Sequence, residues 1–368
     1  MQRDGLTVLI SGAGIAGATL AALLGRAGHG VTVVERDQGV RSSGNPVDVR
    51  KGAYQVAERL AVLSRLQDAA TKVRELIFVD DDGRRVASMR TRQSEDRELE
   101  VARADLSAIL VEAGRGDAEF LFDEMITELH PEDGGVDVIF DRAAPRRFDL
   151  VVGADGIHSG VRRLAFGPEA DFVQHLGMYV ATATLGVPLE RDDLVIMHNE
   201  PGTAVALHPG TGVSGVAFMF RSEVRIDHRD PDARRHLLQQ VYANVGWRTE
   251  ELLSGYLATE DVYFDSISRI RMPSWSRGRV TLLGDAASCV SLFGEGSSSA
   301  MEGASTLAAS LNESPHDIPT ALARYESTHR AVTRPRQRGV LIASHLLIPR
   351  SRLGIALRNQ ALRLAGRR

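Results

Sequence analysis

The first clear rhythm in the chain is a short apolar run rich in β-branched residues, Leu6 to Ile10, then Gly12, Gly14 and Gly17, then an Ala/Leu-rich stretch to Gly25. A brief apolar run bounded by turn residues reads as a buried strand, and an uninterrupted Ala/Leu segment favours helix. The order predicts strand, tight turn and a helix ending near Gly28 to Gly30, and Val31 to Val34 predicts a second strand. Gly5 to Gly25 is 21 residues without a charge, enough to cross a bilayer. The glycines interrupt it, however, and Gln2, Arg3 and Asp4 carry no net positive charge. A folded βαβ unit is expected rather than a membrane span or a signal sequence.

Further along, the polar stretch Arg41 to Asp48 precedes a helical pattern over Ala53 to Leu63. Two more strands end in turn residues: Asp149 to Val152 runs into Gly153-Ala154-Asp155-Gly156, and Val280 to Leu283 into Gly284-Asp285. The glycine and serine loop Gly294 to Ser299 then leads into a helix-like run, Ala300 to Leu311. Between Asp171 and Ser268, the runs Met178 to Leu185, Leu194 to His198, Ala204 to Leu207 and Val213 to Phe220 alternate with glycine and proline turns. That spacing predicts an antiparallel sheet, with a helix over Asp232 to Val245 and a returning strand over Asp261 to Ser268. Glu75 to Arg90, turning at Asp80-Asp81-Asp82-Gly83, predicts a hairpin of the same sheet.

With 368 residues, 43% hydrophobic and 25% charged, the composition is that of a folded globular protein. A single core rarely extends past about 250 to 300 residues, so two interlocked domains are expected. A net charge of -4 gives no global pull toward nucleic acid. One cysteine, Cys289, excludes disulfides within the chain, Cys-rich zinc sites and four-cysteine iron–sulfur clusters, and fits a reducing cytoplasm. Neither of the two lysines, Lys51 and Lys72, follows the glycine spacing of a phosphate-cradling P-loop. Gly-x-Ser-x-Gly and His-Glu-x-x-His are absent. No metal site is expected.

Gly12-Ala13-Gly14-Ile15-Ala16-Gly17 has the Gly-x-Gly-x-x-Gly spacing between a strand and a helix. The first glycine permits the turn, the second admits a pyrophosphate to the backbone, and the third lets helix and strand pack closely. Glu35, after the second strand, is placed to accept hydrogen bonds from a ribose diol. These features predict an adenosine diphosphate site and leave FAD and NAD both open. Asp155 and Asp285 each follow the carboxyl end of a strand, where open α/β sheets bind ligands.

Three ordered signatures narrow the choice: the glycine turn with Glu35-Arg36, the Asp-Gly motif within Gly153 to Arg163, and Arg277 to Ala287 ahead of the serine loop. Together they resemble the class A flavoprotein aromatic monooxygenases, the para-hydroxybenzoate hydroxylase superfamily. The stretches Arg41 to Arg50 and Arg103 to Leu110 look most like the compact branch that contains tetracycline-inactivating monooxygenases. The resemblance implies an α/β fold in which a discontinuous, Rossmann-like FAD-binding domain (1–74, 99–170 and 270–329) carries an inserted antiparallel β-sheet substrate domain (75–98 and 171–269). Residues 330–368 are then a C-terminal helix bracing the two.

The resemblance further implies that NADPH or NADH, binding transiently, reduces the FAD, and that a C4a-hydroperoxyflavin hydroxylates an aromatic or polyketide-like small molecule in natural-product biosynthesis or antibiotic modification. Carried over by position, Gly12, Gly14, Ala16 and Gly17 surround the pyrophosphate, Glu35 holds the ribose and Arg36 the adenine side. Arg50 matches the family's post-strand arginine, Arg103 the arginine near the pyrophosphate or flavin, and Asp155 the aspartate of the Asp-Gly motif. Asp285 holds the ribityl chain or a hydroxyl near the pyrophosphate, and Gly294, Gly296, Ser297 and Ser298 line the pyrimidine end of the flavin. Surface ion pairs are the bland alternative for Arg50 and Arg103, and bonds to turn amides for Asp155. Glu35 and Asp285 are expected to serve the ligand rather than the fold.

Two departures from the family pattern stand out. Ser288 replaces a histidine or aromatic residue, and Ser291 and Leu292 stand where a proline is usual, so a loop of different shape is expected. A non-catalytic flavin- or ligand-binding protein of the same fold is the alternative function. No catalytic base is assigned. Met178, His198, His208, Met219 and Phe220 are pocket candidates, with sheet packing the simpler reading of each. From Arg330 to Arg368 there are ten arginines and no carboxylate; a bracing helix with a solvated arginine face is expected over a membrane- or nucleic-acid-binding one.

Overall fold

The computed structural model describes residues 5–39, 46–90, 97–189, 191–210, 214–227, 229–289 and 295–365. Its nucleotide sheet has six strands in the order Ser276–Arg277, Val280–Leu282, Leu150–Gly153, Thr7–Ser11, Gly30–Glu35 and Ala118–Phe122. All neighbours are parallel except the outermost pair at Ser276–Arg277. Parallel strands are covered on both faces and therefore read as continuous apolar runs, and Val8, Leu9 and Ile10 have no exposed surface. From Thr7–Ser11 the chain moves to one side, to Gly30–Glu35, and later returns on the other, at Leu150–Gly153. That reversal opens a crevice at the strands' carboxyl ends.

The large sheet has seven strands, ordered Val262–Ile270, Val173–Thr184, Ser214–Arg221, Thr203–Pro209, Leu194–Glu200, Glu75–Val79 and Arg85–Arg90. The pairings are antiparallel but for one: Leu194–Glu200 runs parallel to Glu75–Val79. The hairpin enters the sheet from a distant part of the chain, so no short turn constrains its direction. Tyr179, Val205, Phe218 and Phe220 face the helices Pro231–Tyr242 and Thr249–Ala258. Met178, Met197, Ala204 and Met219 form the opposite layer with Val340 and Ile348. Of the pocket candidates, Met178, His208 and Met219 thus share one face, while His198 and Phe220 lie on the other.

A two-stranded antiparallel ladder, Pro46–Arg50 with Glu98–Ala102, bridges the two sheets. The C-terminal region differs from the single helix expected from 330. A 30-residue helix, Ile318–Leu347, starts earlier, capped by the Asp317 side chain with a proline in its first turn. After a break at Ile348 to Ser351 a second helix, Arg352–Ala365, leaves at 98°. The break contains Pro349, which cannot donate the backbone bond a continuing helix needs. Arg358, 7% exposed, lies 3.8 Å from the Phe78 ring centroid and donates to Asn199 Oδ1 at 2.7 Å. Burial lowers its guanidinium to about 10. Part of the arginine tail is therefore fastened inside the molecule. Among the described residues no single helix is long and apolar enough to cross a membrane.

Candidate active site

The glycine turn is built by contact distances that exclude side chains. Gly12 sits at φ +103°, and a Cβ there would stand 2.6 Å from the Ala154 carbonyl oxygen; one on Gly17 would stand 1.9 Å from the Gly12 oxygen. A Cβ on Gly14 would meet nothing within 4 Å. Two of the three glycines are therefore demanded by the protein's own packing, and Gly14 faces open space. Gly14 is also the N-cap of the helix Ile15–Arg26, which has no side-chain cap. The first amides of that helix, Ala16 and Gly17 among them, point out uncapped, the arrangement that binds a phosphate. The open cradle fits the pyrophosphate of a dinucleotide.

Glu35 closes the neighbouring strand and does more than the sequence suggested. Its Oε2 accepts from the Ala13 amide at 2.9 Å and its Oε1 from the Asp37 amide at 3.1 Å. The carboxylate clamps the turn, which corrects the expectation that it serves only a ligand. Arg36 beside it is exposed and has no partner among the described residues. Arg103 opens the helix Arg103–Gly114, half-buried and likewise without an ion pair among the described residues.

Gly284 turns the chain at φ +62° and begins the short helix Asp285–Ser288. Burial raises the Asp285 carboxyl, the positive field of Arg103 opposes the rise, and Asp265 adds to it. Tyr263 on the large sheet is raised mainly by burial and feels Asp265, Arg103 and Asp285. The large sheet and the nucleotide sheet therefore meet at this crevice. Asp155, its carboxyl raised by burial, spends its oxygens on the protein: it accepts from Ser159 Oγ, from the Val161 amide at 3.1 Å and from Ser11 Oγ at 3.4 Å. It holds its own turn, the bland alternative.

Arg162, which the sequence reading passed over, is fully buried. It donates to the Ala286 carbonyl at 3.0 Å and to that of Ile157, so it fastens the Asp-Gly loop to the Asp285 loop. Cys289, the lone cysteine, is buried.

Ser297 and Ser298 begin the helix Glu295–Glu313 by donating, each at 2.7 Å, to the Asp48 carbonyl; Ser298 Oγ accepts from the Arg50 amide at 3.0 Å. They pin that helix to the bridging ladder. Gly296 is its half-buried second residue; Gly294, Ser291 and Leu292 lie outside the described residues. Arg50 is not a free cation, since it pairs with Asp48 at 2.8 Å and Glu98 at 3.4 Å. Burial lifts the Asp48 carboxyl to about 6 against the pull of Arg50. Burial also works against ionising Glu100, but bonds to His208, at 3.0 Å, and Thr71 outweigh it and hold Glu100 low. His208 thereby joins the large sheet to the ladder.

Comparison with known proteins matches this geometry. Residues 5–335 fit the FAD-binding domain family. The uncharacterised protein Rv1260 of Mycobacterium tuberculosis is 40% identical over 333 residues, 87% of this chain and 89% of its own length. A flavin-dependent monooxygenase of Legionella longbeachae is 30% identical over 351 residues, 93% of this chain and 90% of that protein. Among solved structures, the tetracycline destructase Tet(51) superposes with a TM-score of 0.86 at 28% identity, covering 97% of this chain and 95% of the other. Klebsiella pneumoniae HpxO, solved with FAD and uric acid, shares the fold with a TM-score of 0.77 at 22% identity, covering 98% of this chain and 93% of HpxO. The chain belongs to the FAD-binding domain family and is an FAD-dependent monooxygenase related to the tetracycline destructases.

Proposed function

We propose that the protein uses NADH or NADPH and molecular oxygen to hydroxylate an aromatic or polycyclic small molecule. The observation that carries the substrate class is the near-complete superposition on the tetracycline destructases, which spans both sheets and the C-terminal helices. Bound FAD supplies the redox chemistry, taking electrons from the nicotinamide and activating oxygen.

The chain's own residues bind and orient. The uncapped amides after Gly14 take the pyrophosphate, Glu35 accepts from the adenosine ribose, and Arg36 lies along the adenine. Arg103 and Asp285 hold the pyrophosphate or ribityl part, and the start of the helix Glu295–Glu313 receives the pyrimidine edge of the flavin, where amides favour negative charge. The substrate lies between the flavin and the face of the large sheet that bears His208. The apolar layer of Met178, Met197 and Met219, buried beneath it, keeps water from the reacting centre.

The test is a screen of polycyclic phenols, tetracyclines included, for compounds that speed NADPH- or NADH-dependent bleaching of the flavin. Product masses are then read for one added oxygen atom. A substrate preference for small aliphatic amines or thiols overturns the aromatic claim. Tight ligand binding with negligible anaerobic flavin reduction makes the protein a binder instead.

A further inference from the structure

One group of side chains lies away from the crevice. His198 and Glu200 stand two positions apart on the strand Leu194–Glu200 and so share a face. Met197 projects oppositely, into the layer with Val340 and Ile348. His198 instead neighbours Trp247, their ring centroids 6.0 Å apart. The tip of the hairpin Glu75–Arg90 reaches the same place. There Asp80 Oδ1 is used by the amides of Asp82 and Arg84, at 3.1 and 2.8 Å, and Asp82 pairs with Arg84. Asp81 turns back toward the sheet and rests against Gly246, where a Cβ would stand 2.6 Å from its Oδ1.

The His198 side chain is 2% exposed, and its Nδ1 lies 3.2 Å from the Val79 carbonyl oxygen. A carbonyl only accepts, so Nδ1 carries the proton and Nε2 presents a bare lone pair. Nε2 has no hydrogen-bond partner although Asp81 Oδ1 is 3.4 Å away; the oxygen lies off the lone-pair axis. The lone pair of a buried imidazole thus opens toward the carboxylate of Asp81, whose side chain is at the surface. One ligand atom each from Asp81, His198 and Glu200 falls within 4.8 Å of the others.

A tetrahedral ion bound at about 2.0 to 2.1 Å by nitrogen and oxygen separates its ligand atoms by roughly 3.3 to 3.4 Å, each off the other's axis. The Asp81–His198 spacing is that separation. A histidine whose other nitrogen donates to a backbone carbonyl has the support that metal-ligating histidines receive.

We propose that Asp81, His198 Nε2 and Glu200 bind one divalent transition-metal cation of the zinc kind, which ties the hairpin tip to the end of the neighbouring strand. One imidazole and two carboxylates give a nitrogen and oxygen set that suits zinc better than magnesium or calcium, which take oxygen alone. Water completes the shell. The ion supports the sheet and takes no part in the flavin chemistry, because its ligands face away from the layer that holds the C-terminal helices.

The test is calorimetric titration of the chelator-treated holoenzyme with zinc sulfate, together with its thermal midpoint with and without zinc. One zinc per chain and a raised midpoint are expected. Asp81→Asn and Glu200→Gln, at exposed and half-buried positions that tolerate the change, should each weaken binding by at least about tenfold and abolish the rise, with the flavin spectrum unchanged. No heat on titration would leave His198 and Asp81 a plain histidine–carboxylate contact and overturn the site. Binding equal in wild type and both variants would place the ion elsewhere and overturn it too.

Discussion

Gly14 and Gly17 stand three residues apart in one motif, yet the structure gives them opposite roles, and alanine at each position separates the roles. At Gly17 the new methyl carbon would fall 1.9 Å from the Gly12 carbonyl oxygen, and the obstacle is backbone rather than a side-chain tip. The turn and helix must part, a shift at the upper end of overpacking costs, about 3 kcal/mol. For a chain of this size that is a fall of about 4 °C in the unfolding midpoint. At Gly14 nothing lies within 4 Å of the methyl carbon, and φ is -68°, which alanine adopts freely. Alanine is a poorer N-cap than glycine by a few tenths to about 1 kcal/mol. It also reduces unfolded-chain entropy by about 0.4 to 1 kcal/mol, so the two effects nearly cancel in the apoprotein.

The same methyl occupies the space given to the pyrophosphate and moves it off at least one amide. A hydrogen bond to a charged group is worth roughly 1.5 to 3 kcal/mol, so FAD binding should weaken about ten- to a hundredfold. The assay is flavin-fluorescence titration of each apoprotein, paired with its thermal unfolding. Gly14→Ala should lose affinity and keep its midpoint; Gly17→Ala should lose both. A Gly14→Ala protein that binds FAD as wild type does would refute the assignment of that space to the cofactor. One that melts as early as Gly17→Ala would refute the packing argument.

Three other outcomes are expected. Glu35→Ala removes the acceptor of two turn amides as well as the proposed ribose contact, so the apoprotein should lose about 1 to 2 kcal/mol and FAD affinity should drop more than tenfold; an unchanged dissociation constant would put the ribose elsewhere. Arg162→Met strips the buried donor from the Ala286 and Ile157 carbonyls and should cost on the order of 3 kcal/mol by urea unfolding, with weaker FAD binding alongside. Wild-type stability in that variant would show the loops are fastened otherwise. Folding raises the Asp48 carboxyl from 3.8 to about 6, so its stabilising contribution is full below about pH 4 and is lost as pH rises through about 6. Between pH 4 and 7, Asp48→Asn should gain roughly 2 kcal/mol relative to wild type; a constant difference across that range would count against the buried carboxyl.

What the sequence disclosed and what it withheld divide along chain separation. The glycine turn was legible because its contacts are short-range: Gly17 meets Gly12 five residues away, so the spacing itself carries the geometry. Glu35 was legible for position but not for its second duty, because the bond to Ala13 spans 22 residues and depends on how the two strands are registered. Arg162 lies in an ordinary helical run, Gly160–Ala165, where an arginine usually reaches solvent; its burial is imposed by Ala286, 124 residues on. The faces of the large sheet were hidden for a different reason. Both sides are apolar, so alternation in Met178 to Phe220 does not say which side meets the helices Pro231–Tyr242 and Thr249–Ala258, and His198 and His208 looked alike.

The structure separates these two histidines by parity along neighbouring strands. His208 turns to Glu100, 108 residues distant, and His198 turns to Asp81 on the opposite face. Each meets a carboxylate from a segment that enters the sheet region early in the chain: the bridging ladder for one, the hairpin tip for the other. Neither pairing has a local motif, since a strand fixes only which side a residue takes and the partner strand decides what waits there. The chemistry held by single turns can thus be read from spacing, and the chemistry held between sheets has to be read from register.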